Sequence, residues 1–134
     1  MPESTQAIDR DRIQELLGAT SRTFALCIPM MPGLLRDGLG LGYLLLRNAD
    51  TIEDAYRWPK GRRVAELETY RKLLLNPVPD GARRFAASFD QEALIDDPDH
   101  LQLLRLTPWL IDQLQRLPKP YVETVTEHVA RVIE

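Results

Sequence analysis

Four side chains able to act together, Tyr43, Arg47, Asp50 and Asp54, follow one another at intervals of four, three and four residues. On an α-helix turning about 100° per residue they share an arc of roughly 60°. Two carboxylates one turn apart, about 6 Å along the axis, suit a magnesium ion that completes its oxygen shell with water and phosphate oxygens. Glu53 lies about 80° from the centre of this row, a position for a water-mediated ligand. Arg47 carries the planar donor fork that grips phosphate, or neutralises the carboxylates when no cation is there. Just upstream, the nine residues from Gly38 to Leu46 carry no charge, which predicts a helix buried all round. An unpaired buried carboxylate costs several kcal/mol, so Asp50 and Asp54 are expected to face an interior cavity where cations hold them.

The elements that must carry this row read as helices throughout. No run of residues alternates apolar and polar as a half-buried strand requires, so the fold class is all-α. A first helix is expected from Asp9, fading by Gly18, and Thr20 or Ser21 caps a second over 22–30, stopped by Pro29 and Pro32. The central helix is expected over 33–57, ended by Trp58-Pro59-Lys60-Gly61. An amphipathic helix over 62–75 shows Val64, Leu67, Arg71 and Leu74 on one face. A short helix over 82–89 follows, then a new start at Asp97-Pro98 that Thr107-Pro108 divides into two. After Pro118-Lys119-Pro120, a stripe from Tyr121 to Ile133 runs on to Glu134 without a stop signal, so the chain is expected to end within an element.

Composition narrows the partners. The 134 residues, 44% hydrophobic and 28% charged, suit one globular domain or part of one. A net charge of −3 gives no general reason to expect nucleic acid. Cys27, the only cysteine, excludes an intrachain disulfide, fits a reducing, cytoplasmic setting, and reads as a small buried hydrophobe. The N-terminal residues lack the blocks of a signal peptide, and no apolar run approaches the roughly 18 residues of a membrane span. His100 and His128 lack ligand spacing and read as partly exposed helix residues without a role. The basic cluster Arg57, Lys60, Arg62 and Arg63 reads as a solvated helix start, with peripheral membrane contact as its alternative use. The glycines at 38, 40 and 42 follow no strand and miss the dinucleotide-binding spacing, so close helix packing is their expected use.

Two segments taken in order, Ser21-Arg22-Thr23-Phe24-Ala25 and Tyr43-Leu44-Leu45-Leu46-Arg47-Asn48-Ala49-Asp50-Thr51-Ile52-Glu53-Asp54, resemble the opening motifs of the squalene and phytoene synthase family. That family has a serine-rich motif followed by phenylalanine, then Tyr-x-x-x-Arg-x-x-Asp-x-x-Glu-Asp. An acidic pair alone is common; the ordered combination is specific. The resemblance implies a partial isoprenoid-synthase-type helical bundle and a head-to-head condensation of two prenyl diphosphates, farnesyl diphosphate first among them, to squalene or a related product. It also implies magnesium at Asp50, Glu53 and Asp54, catalytic roles for Tyr43 and Arg47, and substrate contacts from Ser21, Arg22, Phe24 and Arg47. NADPH is implied where the product is squalene.

The family's second acid-rich motif has no counterpart here, since Asp96-Asp97-Pro98-Asp99 is interrupted by proline and reads as a turn and helix cap. Residues 1–134 are therefore expected to be the N-terminal portion of a single synthase-like domain, carrying half a site and inactive alone. Such a half-bundle is expected to expose an apolar face through which copies associate. The rival reading is a synthase-like protein that has lost catalysis and serves as a binding or assembly factor.

Overall fold

The computed structural model describes residues 8–55, 58–87 and 98–133, and among these it contains α-helices and one 3-10 turn but no strand. The helices are α1 (Arg10–Thr20), α2 (Arg22–Cys27), α3 (Gly33–Glu53), α4 (Lys60–Leu75), α5 (Pro79–Ala87), α6 (Pro98–Arg105), α7 (Thr107–Gln115) and α8 (Lys119–Ile133); the 3-10 turn Ile28–Met30 joins α2 to α3. α3 is the axis of the bundle: α1, α4, α6, α7 and α8 all pack on it. Its buried side chains Leu41, Leu44, Leu45 and Ile52 meet Leu17 of α1, Tyr70 of α4, Leu103 and Leu104 of α6 and Leu110 and Leu114 of α7 in one core.

Local chemistry sets the boundaries. The Asp9 carboxylate accepts from the Arg12 backbone N–H at 3.0 Å and caps α1. α1 runs through Gly18 to Thr20 instead of fading, ending where Ser21 turns extended, and Ser21 Oγ then caps α2 by accepting from Phe24 N–H. The expected second helix is shorter than 22–30, because the chain tightens to 3-10 geometry at Ile28, ahead of Pro32. Gly33 opens α3 at φ +41°, a conformation that disfavours any side chain. Pro98 begins α6, and Leu106 separates α6 from α7, giving the two expected helices. Gly40 serves the expected close packing: a Cβ there would stand 3.1 Å from Ile13 Cγ2 of α1.

α3 ends at Glu53, earlier than expected, with Asp54 as its cap residue; Tyr56 and Arg57 lie outside the described residues, as do Phe89, Asp96, Asp97 and Glu134. On α4 the inward face is Leu67, Tyr70, Leu73 and Leu74, while Val64 is 57% exposed, so the predicted stripe is rotated toward the tyrosine. The Tyr70 hydroxyl donates to Leu45 O at 2.8 Å, and burial pushes its phenol well above the ordinary range, against a smaller opposing effect of Asn48.

An ion pair the sequence does not announce fastens α1 to α3. Asp37, only 3% exposed, receives both Arg10 Nε at 2.6 Å and Arg10 Nη2 at 2.8 Å, and this pairing raises the guanidinium pKa further above its ordinary value. Arg10→Ala would leave a buried carboxylate alone; urea unfolding should show a loss of about 2–4 kcal/mol, the lower end reflecting water access to the half-exposed arginine.

Candidate functional site

An apolar groove of about 720 Å³ opens along α3, walled on one side by α2 and the following turn and on the other by α8. Leu35, Leu39, Gly42, Tyr43 and Leu46 line its floor, Phe24, Cys27 and Met31 one wall, and Tyr121, Val125 and His128 the other. The Phe24 and Tyr43 rings meet at 4.5 Å between centroids, tilted by 32°. α3 is therefore not buried all round: its groove side is open, with Leu39 45% exposed and Tyr43 and Leu46 half-buried. Cys27 is exposed on the groove wall, which corrects its expected burial; α2 sits at the edge of the bundle and buries none of its residues.

The acidic row stands at the far end of this floor. Glu53 lies two turns beyond Leu46, almost on the groove's own line, and Asp50 lies one turn beyond it. Asp54 is past the last helical residue, at φ −90° and ψ 7°, so helical spacing no longer fixes its direction. Asp50, Glu53 and Asp54 are all exposed, which corrects the expectation that Asp50 and Asp54 face an interior cavity. The apolar residues around them cover the other sides of α3, where Ala49, Thr51 and Ile52 are buried, and leave the carboxylate side open. Among the described residues these side chains form no hydrogen bond or ion pair, and no three His, Cys, Asp or Glu residues gather as a preformed metal cluster.

Position makes these acids costly. The C-terminal end of a helix carries about half a unit of negative charge, so carboxylates there are disfavoured and cations favoured, yet the last turn of α3 holds no basic residue. Arg63 of α4 supplies partial relief by donating to Glu53 O at 3.0 Å, and Arg62 stacks over the buried Trp58 ring at 4.0 Å. Two members of the basic cluster thus have work inside the fold.

Arg47 is half-buried between Tyr43 and the acids, and its Nη2 lies 3.5 Å from His100 Nδ1 at the start of α6. Its Nε is buried without an acceptor. Sequence reasoning passed over His100, which stands 53 positions from Arg47 and carries no spacing signal. Ser21 is occupied as the α2 cap, and Arg22 is exposed on the same helix. Ser21→Ala should cost about 1 kcal/mol through the lost cap, measurable by denaturant unfolding.

The squalene/phytoene synthase family model matches residues 17–133. The chain belongs to that family. Among curated proteins, it is 35% identical to the squalene synthase of Schizosaccharomyces pombe over 63 residues, 47% of this chain and 14% of that one. It is 27% identical to squalene synthase BSS of Botryococcus braunii over 124 residues, 92% of this chain and 24% of the enzyme. With the lycopaoctaene synthase of the same alga it shares 39% over 59 residues, 44% of this chain and 13% of the other. The aligned part is thus no more than about a quarter of the length of these relatives. No solved structure matches the chain significantly. Family membership agrees with the all-α bundle. Among the described residues no helix is long and apolar enough to cross a membrane.

Proposed function

We propose that the protein takes part in the head-to-head condensation of two prenyl diphosphates, farnesyl diphosphate foremost, with the groove holding a prenyl chain and the acidic end of α3 facing the diphosphate. The observation that carries this reading is their order along α3: the apolar floor from Leu35 to Leu46 is followed, one and two turns further along the helix, by Asp50 and Glu53. A prenyl diphosphate has the same polarity, an apolar tail joined to a charged head. The carboxylates suit Mg2+ in its usual manner, one or two protein oxygens with water and phosphate completing the shell, and they are free of other partners among the described residues. Asp50 and Asp54 would hold the ion, with Glu53 through water; bound there, it would screen diphosphate from the acids and ease its departure. Arg47 would donate to diphosphate oxygens, and Arg22, with Ser21, would approach them from α2. The Phe24 and Tyr43 ring faces would stabilise allylic positive charge, while Tyr43 Oη orients diphosphate or relays a proton, and the apolar walls keep water away. Loss of diphosphate leaves an allylic cation that the double bond of the second prenyl chain attacks, and the cation this creates on the second chain loses a proton to give a neutral coupled diphosphate; NADPH would be needed only if that product is reduced to squalene as its remaining diphosphate leaves.

Exposure of the three acids is the observation that favours the rival, a non-catalytic binding or assembly factor. Against it stands their location, since acids at a helix C-terminus weaken the fold and a scaffold gains nothing from them. Incubating the full-length protein, in which the site is expected to be whole, with Mg2+ and farnesyl diphosphate and measuring diphosphate release separates the two. Release above a metal-free control supports the synthase reading. Binding of farnesyl diphosphate without release supports the rival, and neither binding nor release overturns both. Residues 1–134 as half of a single domain, peripheral association with membranes, cytoplasmic location and self-association through an exposed apolar face belong to the same proposal; vesicle sedimentation and analytical ultracentrifugation address the membrane contact and the self-association.

A further inference from the structure

We propose that His100 is a positioning residue that keeps the Arg47 guanidinium off the acidic row and available to an incoming diphosphate; this rests on the reading given under Proposed function. An arginine three residues before one aspartate and seven before another would ordinarily fold down onto them as a surface ion pair. Among the described residues Arg47 forms no such pair. It turns instead toward α6, where Nη2 meets His100 Nδ1 at 3.5 Å. A guanidinium can only donate, so this contact makes Nδ1 the acceptor and puts the ring hydrogen on Nε2.

The helix that brings the imidazole there is itself held in register. Asn48, the residue after Arg47, donates through Nδ2 to Leu103 O at 3.2 Å and to Thr107 Oγ1 at 3.4 Å, and the Thr107 hydroxyl donates to Leu104 O at 2.7 Å. Asn48 and Thr107 are fully buried, so these bonds are shielded from water. His100 and Leu103 lie three apart on α6 and share a face, so bonding that fixes Leu103 against Asn48 also sets His100 beside Arg47. A neutral acceptor has a consequence a carboxylate would not. It fixes the direction of the guanidinium without cancelling its charge, and the acids remain unpaired for a cation. The buried, acceptor-less Arg47 Nε is then a donor in waiting.

The test uses inorganic pyrophosphate with Mg2+ as the probe, titrated calorimetrically into the wild-type protein and the His100→Leu, His100→Asn and Arg47→Gln variants, with thermal midpoints measured beside each. Asparagine keeps an acceptor near the Nδ1 position; leucine does not. His100→Leu is expected to weaken pyrophosphate binding about 5- to 10-fold with its midpoint little changed, and His100→Asn to stay within about twofold of wild type. Should His100→Leu fail to fold, His100→Gln, whose acceptor lies one bond too far, takes its place. Wild-type affinity in His100→Leu overturns the proposal, as does a His100→Asn loss equal to that of leucine. If the wild type fails to bind pyrophosphate, or Arg47→Gln binds as well as wild type, the diphosphate reading itself fails and the positioning role falls with it. Loss in Arg47→Gln beside unchanged binding in His100→Leu overturns the role of His100 alone.

Discussion

Asp50→Asn is expected to abolish nearly all diphosphate release by the full-length protein, by a factor of about 10² or more, while making the metal-free bundle slightly more stable. The two effects have one cause. A negative charge near the C-terminal end of α3 opposes the helix dipole at a cost of about 0.3–1 kcal/mol, and amide in place of carboxylate removes it, raising the thermal midpoint by about 1–4 °C in a chain of this size. The same change removes a hard anionic oxygen that Mg2+ needs, and loss of one preorganised electrostatic contact at a reacting centre commonly costs 10² to 10³ in rate. Stability and activity moving in opposite directions is the signature of a group retained for chemistry. A second readout needs no turnover: Mg2+ with pyrophosphate should raise the midpoint of the wild type and leave Asp50→Asn unmoved. An equal shift in both proteins would remove Asp50 from the metal site, and a drop in the metal-free midpoint would show that the carboxylate supports the fold.

Much of the bundle was legible because its signals are local. Ser21 as a cap, Pro98 at a helix start, the division near Pro108 and the long central helix each follow from a few neighbouring residues. Family resemblance was legible for the same reason: Ser21 to Ala25 and Tyr43 to Asp54 are short ordered motifs. What failed depended on partners far along the chain. Arg10 and Asp37 are 27 residues apart, and Arg47 and His100 are 53 apart, so no periodicity could pair them. The tilt of α4 likewise depended on Tyr70 finding Leu45 O across 25 residues.

The misjudged burial of Asp50 and Asp54 has a different origin. An uncharged stretch such as Gly38 to Leu46 says that every side of the helix avoids charge, but not that every side is packed. In the fold, Leu41, Leu44 and Leu45 meet the core while Leu39, Tyr43 and Leu46 meet a groove. The same distinction accounts for Cys27, apolar in sequence context and exposed in fact. Glu53 benefits from the correction. Measured against the row of aspartates it stood aside; measured against the groove it stands nearest the line along which a prenyl chain would lead its head group.

Arg47→Lys should behave as a severe substitution despite preserving charge. Lysine brings a compact ammonium on a flexible stem, without the fork that can face His100 with one nitrogen and an incoming phosphate oxygen with another. In the present arrangement Nη2 is directed to His100 and Nε is buried without an acceptor, so two donors of one rigid group point to separate tasks. An ammonium would instead settle onto Asp50, one turn away, pairing the carboxylate that should stay free. Steady-state kinetics of the full-length protein with farnesyl diphosphate should therefore show KM rising about 10- to 100-fold, and calorimetry should show pyrophosphate affinity falling in parallel. Adding excess Mg2+ should recover part of the loss, because the cation competes with the ammonium for Asp50, whereas a purely steric defect would not respond. Lysine performing as well as arginine would mean that charge alone matters at position 47, and the forked geometry would have no part in recognising diphosphate.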